Sequence, residues 1–238
     1  AILGSGRRVL PIGLETSARD RTSLYDAHRV DAVIETDSAV GWAASPATVH
    51  FQVMEDVGTP QGNKAGSLDR GSKGSLLLRS SGTTGRPAVA LRTAAGLDRV
   101  SSTLLKVLEL VDEDEVLATL PMQHAYGIEH GVLAPMRAGA SVRFRMGFDL
   151  VEGIEALADG VTVFPGVPVT LEAAARVGRL GSRLRLAYSA GSPLPATVRH
   201  AFAEAWDCPT GNLYGATELG TITYGIDGVD SAVDGVSV

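Results

Sequence analysis

Apolar and polar residues change their spacing several times along the chain, and each change predicts an element. Residues 7–12 (RRVLPI) and 31–35 (DAVIE) are short runs rich in β-branched side chains, which predicts two strands. Between them Ser17 and Asp20 are suited to cap a short helix carrying Leu24 and Tyr25. Residues 1–54 therefore read as a strand–helix–strand lobe. Residues 55–74 (EDVGTPQGNKAGSLDRGSKG) hold almost no large apolar side chain and many glycines. Ordering them would cost entropy without burying surface, so a flexible loop or linker is expected there.

From residue 75 the pattern becomes regular. SLLLR (75–79) predicts a buried strand, followed by a Gly/Thr turn. Leu97, Val100, Leu104, Leu108 and Val111 then recur every three or four residues, which predicts one face of a helix over about 94–110, ended by the acidic run Asp112 to Glu115. VLATL (116–120), ASVRFR (140–145), VTVF (161–164), LRLAY (184–188) and GNLY (211–214) predict further strands. In the second of these, Ala140, Val142 and Phe144 alternate with polar partners, as in a half-exposed strand. Asp149 caps a helix in DLVEGIEALAD, and another helix follows Pro168. A third is expected with Ser192 as N-cap and Pro193 in its first turn, carrying Leu194, Val198, Phe202 and Trp206 on one side. Strands alternating with helices predict an α/β fold, a mainly parallel sheet flanked by helices on both faces, joined by right-handed crossovers. Residues 75–238 are the expected binding core, with ligands beyond the carboxyl ends of the strands.

Charge and composition narrow the function classes. The 238 residues carry 21 Lys+Arg and 27 Asp+Glu, a net charge of −6, and the arginines are scattered. Nucleic-acid binding needs clustered cations, so it is not expected. No run approaches the ~20 apolar residues of a membrane helix, and AILGSGRRVL is too poor in apolar residues for a signal peptide, which makes a cytoplasmic location the expectation. A single cysteine, Cys208, rules out a disulfide framework and a cysteine-based zinc cage. His124 and His130, six residues apart, are wrongly spaced for a metal pair on one helical face. No pattern fixes an oligomeric state.

The strongest chemical signal is SSGTTGRP, residues 80–87, directly after a predicted strand. Gly82 and Gly85 let the backbone turn its N–H groups inward, while Ser80, Ser81, Thr83 and Thr84 add hydroxyl donors, a concavity suited to phosphate oxygens. An ordinary Ser/Thr/Gly turn has the same composition, and the stretch alone leaves both readings open. It is not a Walker loop, since GxxxxGK[ST] is absent, and GSGRRV at 4–9 fails the dinucleotide pattern at its last position.

Three ordered motifs spread over about 140 residues resemble the adenylate-forming superfamily, which comprises acyl- and aryl-CoA synthetases, luciferases and nonribosomal peptide adenylation domains. SSGTTGRP is similar to its phosphate loop, LPMQHAYG (120–127) to its LPxxHxxG segment, and YGATELG (214–220) to its YGxTE signature, with AGSPL (190–194) matching the preceding loop. The resemblance implies the fold of that superfamily's large N-terminal domain. It also implies that Tyr214 stacks on adenine, Thr217 hydrogen-bonds the α-phosphate, Glu218 holds Mg²⁺, and His124 lies near the acyl substrate and the forming acyl phosphate. Ser80, Ser81, Gly82, Thr83, Thr84 and Gly85 would hold phosphates, while Gly191, Ser192 and Gly215 would line the adenine and acyl pocket. Each role suits its group: a carboxylate is a hard oxygen ligand, a hydroxyl donates to a phosphoryl oxygen, and a flat ring covers a purine.

The implied reaction is attack of a small carboxylic acid on the α-phosphorus of Mg·ATP, giving acyl-AMP and pyrophosphate, then transfer to a thiol of CoA or of a phosphopantetheine arm on an acyl carrier protein. Gln123-His124 stands where amino-acid-activating relatives carry Phe-Asp, so an aryl or fatty acid is expected rather than an α-amino acid. Two departures are visible. Pro87 is followed by Ala88 and Val89 where the family carries Lys-Gly, and the ribose-binding aspartate and catalytic lysine of the family have no counterpart in the residues after Glu218. The chain is therefore expected to be an incomplete portion of such a ligase, with the alternative of a non-enzymatic nucleotide- or acyl-binding or assembly module of the same fold. A kinase or NTPase using SSGTTG is disfavoured because the loop lacks a lysine and no catalytic base is evident.

Overall fold

The computed structural model describes residues 8–13, 16–28, 32–36, 51–55, 74–80, 88–145, 147–178, 182–226 and 230–236. The chain divides into two compact units, one of residues 14–70 and one of residues 1–13 with 71–238. The smaller holds helix α1 (Ala18–His28) and an antiparallel pair, β2 (Ala32–Thr36) with β3 (Phe51–Glu55). Ser17 caps α1 as its position suggests: its Oγ accepts from Asp20 N at 3.1 Å and donates to Asp20 Oδ2 at 2.8 Å. Most of the expected 55–74 loop, residues 56–73, lies outside the described residues.

In the larger unit, β1 (Arg8–Val9) runs parallel to β4 (Ser75–Arg79), which pairs antiparallel with β5 (Val89–Thr93). β1 is much shorter than the expected 7–12 run, consistent with Pro11, which has no N–H for a ladder. Seven strands form the main sheet in the order β12-β11-β10-β9-β8-β6-β7. Strands β6 (Glu115–Ala118), β7 (Ser141–Phe144), β8 (Val163–Gly166), β9 (Leu186–Ser189) and β10 (Thr210–Ala216) are parallel. β11 (Gly220–Ile226) and β12 (Ser231–Ala232) extend them antiparallel. The chain passes from β6 to its neighbour β7, then crosses back over β6 to β8, which creates a switch point between β6 and β8.

Successive residues of the central strands point to opposite faces, and both faces are covered. Phe164 and Ala187 join Leu157 of α5 (Leu150–Ala158), Leu171 of α6 (Pro168–Ala175), and Phe202 and Trp206 of α7 (Ala196–Trp206) in one core. Val163, Leu186 and Tyr188 join Val100 and Leu104 of α2 (Ala94–Val107) in the other. Asp149 caps α5 as expected, accepting from Val151 N and Glu152 N, both at 2.9 Å.

Two helix boundaries differ from the sequence pattern. α2 ends at Val107, and Glu109 takes a left-handed φ of 49°, so Val111 leaves the helical face and stays exposed. α7 starts at Ala196 with Pro195 as N-cap, not at Ser192-Pro193, because Pro195 biases Leu194 away from the helical region.

The amino-terminal rim of the sheet is locked by Asp114, just before β6. Its carboxylate accepts from Val111 N at 3.0 Å, from Thr162 Oγ1 at 2.7 Å and from Arg185 Nε at 2.8 Å, tying together the entries to β6, β8 and β9. Burial alone would push the Asp114 carboxyl up, but the Arg185 guanidinium and these donors hold it below the usual range.

Candidate functional site

The opposite rim, beyond the carboxyl ends of β6, β8, β9 and β10, gathers the described residues of the 120–127, 190–194 and 214–220 motifs. After β6, residues 120–124 turn tightly, with His124 N donating to Pro121 O at 3.1 Å, and a helix starts: α3 (Ala125–Ile128), a π-helical turn (Glu129–Leu133) and α4 (Ala134–Ala138). Gly127 is required by contact, since a Cβ there would lie 2.1 Å from the Pro121 carbonyl oxygen. His124, the N-cap of α3, is exposed and makes no side-chain cap. Tyr126 Oη donates to Gly166 O at the end of β8 at 2.9 Å and reaches Tyr188 O of β9 at 3.4 Å, so the motif helix is fastened across the switch point.

The π-helical turn inserts Glu129 and His130 into the interior, both nearly fully buried. His130 Nδ1 lies 3.0 Å from Tyr188 Oη, its Nε2 lies 3.5 Å from Thr221 Oγ1 of β11, and Tyr126 packs against its ring edge-on at 4.7 Å. Burial pushes the His130 imidazole down to about 3 and both tyrosines well above their usual range. It pushes Glu129 up to about 7, even though the Arg92 charge pulls the other way.

This burial has a pH signature. An unfolded histidine takes up a proton near 6.5, while folded His130 resists until about 3, so its contribution to stability is full above 6.5 and lost as pH falls toward 3. His130→Gln removes this contribution. Denaturant titrations should show wild type losing on the order of 2 kcal/mol relative to this variant between pH 6.5 and 5. A constant difference across that range would mean that His130 is hydrated in the folded state.

The β10–β11 hairpin carries YGATELG. Tyr214 is 60% exposed, Gly215 and Glu218 are exposed, and Thr217 is half-buried. The turn Thr217–Leu219 closes with Leu219 N donating to Ala216 O at 3.1 Å. Gly215 is needed for the close approach, as a Cβ would lie 2.6 Å from Gly220 O. One strand away, in the loop after β9, Gly191 has a φ of +87°, which favours glycine, and Ser192 is exposed. Ser189, at the end of β9, is fully buried, and its Oγ has no hydrogen-bond partner among the described residues.

Ser80 closes the neck of the β4–β5 hairpin: its N donates to Ala88 O at 2.9 Å, and its Oγ accepts from Ala88 N at 3.2 Å. Ser81, Gly82, Thr83, Thr84 and Gly85 lie outside the described residues.

Arg92 on β5 connects these motifs. It is 4% exposed, donates from Nη1 to Thr217 O at 2.9 Å and from Nη2 to Leu219 O at 3.4 Å, and sets Nη1 2.8 Å from Glu129 Oε1. The strand leaving the phosphate-loop segment, the helix after His124 and the turn around Glu218 thus share one buried guanidinium. Sequence reasoning missed Arg92, Glu129, Tyr126, His130 and Tyr188. A signal existed for the first: in VALRT (89–93) the pattern places Ala90 and Arg92 on one face and Leu91 on the other, and it is the arginine face that is buried.

Residues 1–236 match the family described as AMP-binding enzyme. The chain belongs to that family. Among its relatives, 4-coumarate–CoA ligase 5 of Oryza sativa subsp. japonica is 30% identical over 166 residues, covering 66% of this chain and 31% of the relative. Malonate–CoA ligase of Arabidopsis thaliana is 29% identical over 175 residues, covering 60% and 28%. The chain spans about a third of the length of these relatives. Among solved structures, ATP-bound MatB from Rhodopseudomonas palustris superposes with a TM-score of 0.60 at 25% identity, covering 68% of this chain and 33% of that one. A malonyl-CoA ligase product complex with methylmalonyl-CoA and AMP gives 0.56 at 28% identity, covering 66% and 36%. The fold is thus that of the N-terminal domain of adenylate-forming enzymes. Among the described residues no helix is long and apolar enough to cross a membrane.

Proposed function

We propose that this chain supplies the nucleotide- and acid-binding part of an acid–CoA ligase that works through an acyl adenylate. The observation that carries the reading is that the 120–127 and 214–220 motif segments lie on one rim and are joined through Arg92, Tyr126 and His130. In this reading the exposed Tyr214 ring covers the adenine, the Thr217 hydroxyl donates to the α-phosphate, and the Glu218 carboxylate ligates the Mg²⁺ that accompanies ATP. These exposures suit groups that meet a ligand rather than a core. Residues 80–85 would hold the β- and γ-phosphates, Gly191, Ser192 and Gly215 would let backbone approach the ligand, and His124 would stand at the acyl phosphate.

The substrate carboxylate supplies the nucleophile: its oxygen bonds to the α-phosphorus as pyrophosphate departs. Catalysis by this chain is therefore positioning and charge stabilisation. The favoured acid is an aryl or fatty acid. A substrate ammonium would need a carboxylate partner, and Glu129, the acidic residue within 120–131, already faces Arg92. CoA is the favoured acceptor because the relatives are named CoA ligases. Ala88, standing where the family carries lysine, favours a second reading, a module that binds nucleotide without turning it over.

Calorimetric binding of AMP and of Mg·ATP, with pyrophosphate exchange across aryl, fatty and amino acids run on the longest natural open reading frame, separates the readings. Glu218→Gln should weaken Mg·ATP on the order of tenfold more than AMP. Equal losses would remove its metal role, and nucleotide binding without exchange for any acid would leave the module reading.

A further inference from the structure

We propose that Arg92 is a positioning residue that sets the height and tilt of the Thr217–Glu218–Leu219 turn, and with it the carboxylate and hydroxyl offered to the nucleotide. The consequence for nucleotide binding rests on the function proposed above. The positioning itself rests on geometry.

A guanidinium has five donors, no acceptor and a permanent charge, so a buried one must find several acceptors and a counter-charge. Arg92 finds its acceptors on either side of Glu218, in the carbonyls of Thr217 and Leu219. Anchoring both carbonyls fixes the Thr217–Glu218 and Leu219–Gly220 peptide planes, which bracket Glu218 and Leu219, while Glu218 itself stays exposed. Glu129 supplies the counter-charge at 2.8 Å from the same Nη1 that donates to Thr217 O, which orients the fork. Gly220 admits it: a Cβ there would sit 3.1 Å from Arg92 Nη2, and its φ of +84° favours glycine. The contact spans 125 residues of sequence and joins strands of two different sheets, so the turn is held from outside its own hairpin.

A buried pair of this kind is also open to a purely structural role, and the test separates the two. Replacing both partners by apolar residues of similar volume, Arg92→Met with Glu129→Leu, leaves no unpaired charge and is expected to fold. Amide exchange of Leu219, whose N–H is held by Ala216 O, should then rise about tenfold or more over wild type, while the amides of β8 and β9 keep their rates. Arg92→Lys, with one ammonium for two carbonyls, should fall between the two, and it replaces the double variant as the readout if that one fails to fold. Unchanged exchange at Leu219 in the folded variant overturns the proposal. In parallel, Mg·ATP affinity should drop on the order of tenfold with AMP affinity less affected. Faster exchange in a chain whose wild type binds neither nucleotide would retain Arg92 as the anchor of the turn and reject the ligase reading instead.

Discussion

Trp206→Ala is expected to destabilise the larger unit by about 3–5 kcal/mol, measured by denaturant unfolding. The indole is 1% exposed and stacks on Phe202, with ring centroids 6.1 Å apart and planes 21° from parallel. It lies among Leu171, Ala174 and Leu184, where α6 and α7 meet the sheet. Its Nε1 donates to Ala174 O at 3.1 Å, so truncation leaves a cavity and also removes a partner from a buried carbonyl. Trp206→Phe fills most of that space and should cost much less, so the difference between the variants reports the cavity. Domains of this size are stable by about 5–15 kcal/mol, so the alanine variant should unfold at markedly lower denaturant. A loss below 1 kcal/mol would mean that α7 repacks, which the interdigitation of Phe164, Phe202 and Trp206 argues against.

Gly127→Ala should damage the site more than its single methyl suggests. In an ordinary helix glycine to alanine gains up to about 1 kcal/mol, so the sign of the change is diagnostic. Here the added carbon would lie 2.1 Å from Pro121 O, 2.7 Å from its carbonyl carbon and 3.1 Å from Leu120 O, all backbone atoms of the turn that leads to His124. Either the turn or the start of α3 must move, and with it Tyr126, whose hydroxyl is fixed on Gly166 O and Tyr188 O. A loss of about 1–3 kcal/mol in unfolding free energy, with a larger proportional loss of AMP affinity, is the expected outcome. A neutral or stabilised variant would show that the turn yields without disturbing the site.

Much of the fold was legible because the central strands are continuous apolar runs and their helices carry ordinary caps. SLLLR is a strand throughout, VTVF and LRLAY run into β8 and β9 at Val163 and Leu186, and Asp149 and Ser17 cap where their positions suggest. The misses have physical causes. β5 was hidden because its arginine, the residue that normally marks a solvent face, points inward while Leu91 faces out. β11 follows a tight turn and carries Gly220 and Gly225, which break the look of a strand. Motif spacing reached the candidate residues His124, Tyr214, Thr217 and Glu218, but not what supports them. Arg92 and Glu129 are charged residues far apart in sequence, and only the folded chain shows that each is the other's counter-charge.

The two rims of the main sheet divide their labour. At the amino-terminal rim Asp114, Thr162 and Arg185 bind three strand entries into a polar knot. At the carboxyl-terminal rim short turns present side chains that differ in exposure. Because the knot shares no residue with those turns, the turns are free to be rewritten for another acid while the scaffold beneath them keeps its strength, an arrangement that lets chemical novelty accumulate without eroding foldability.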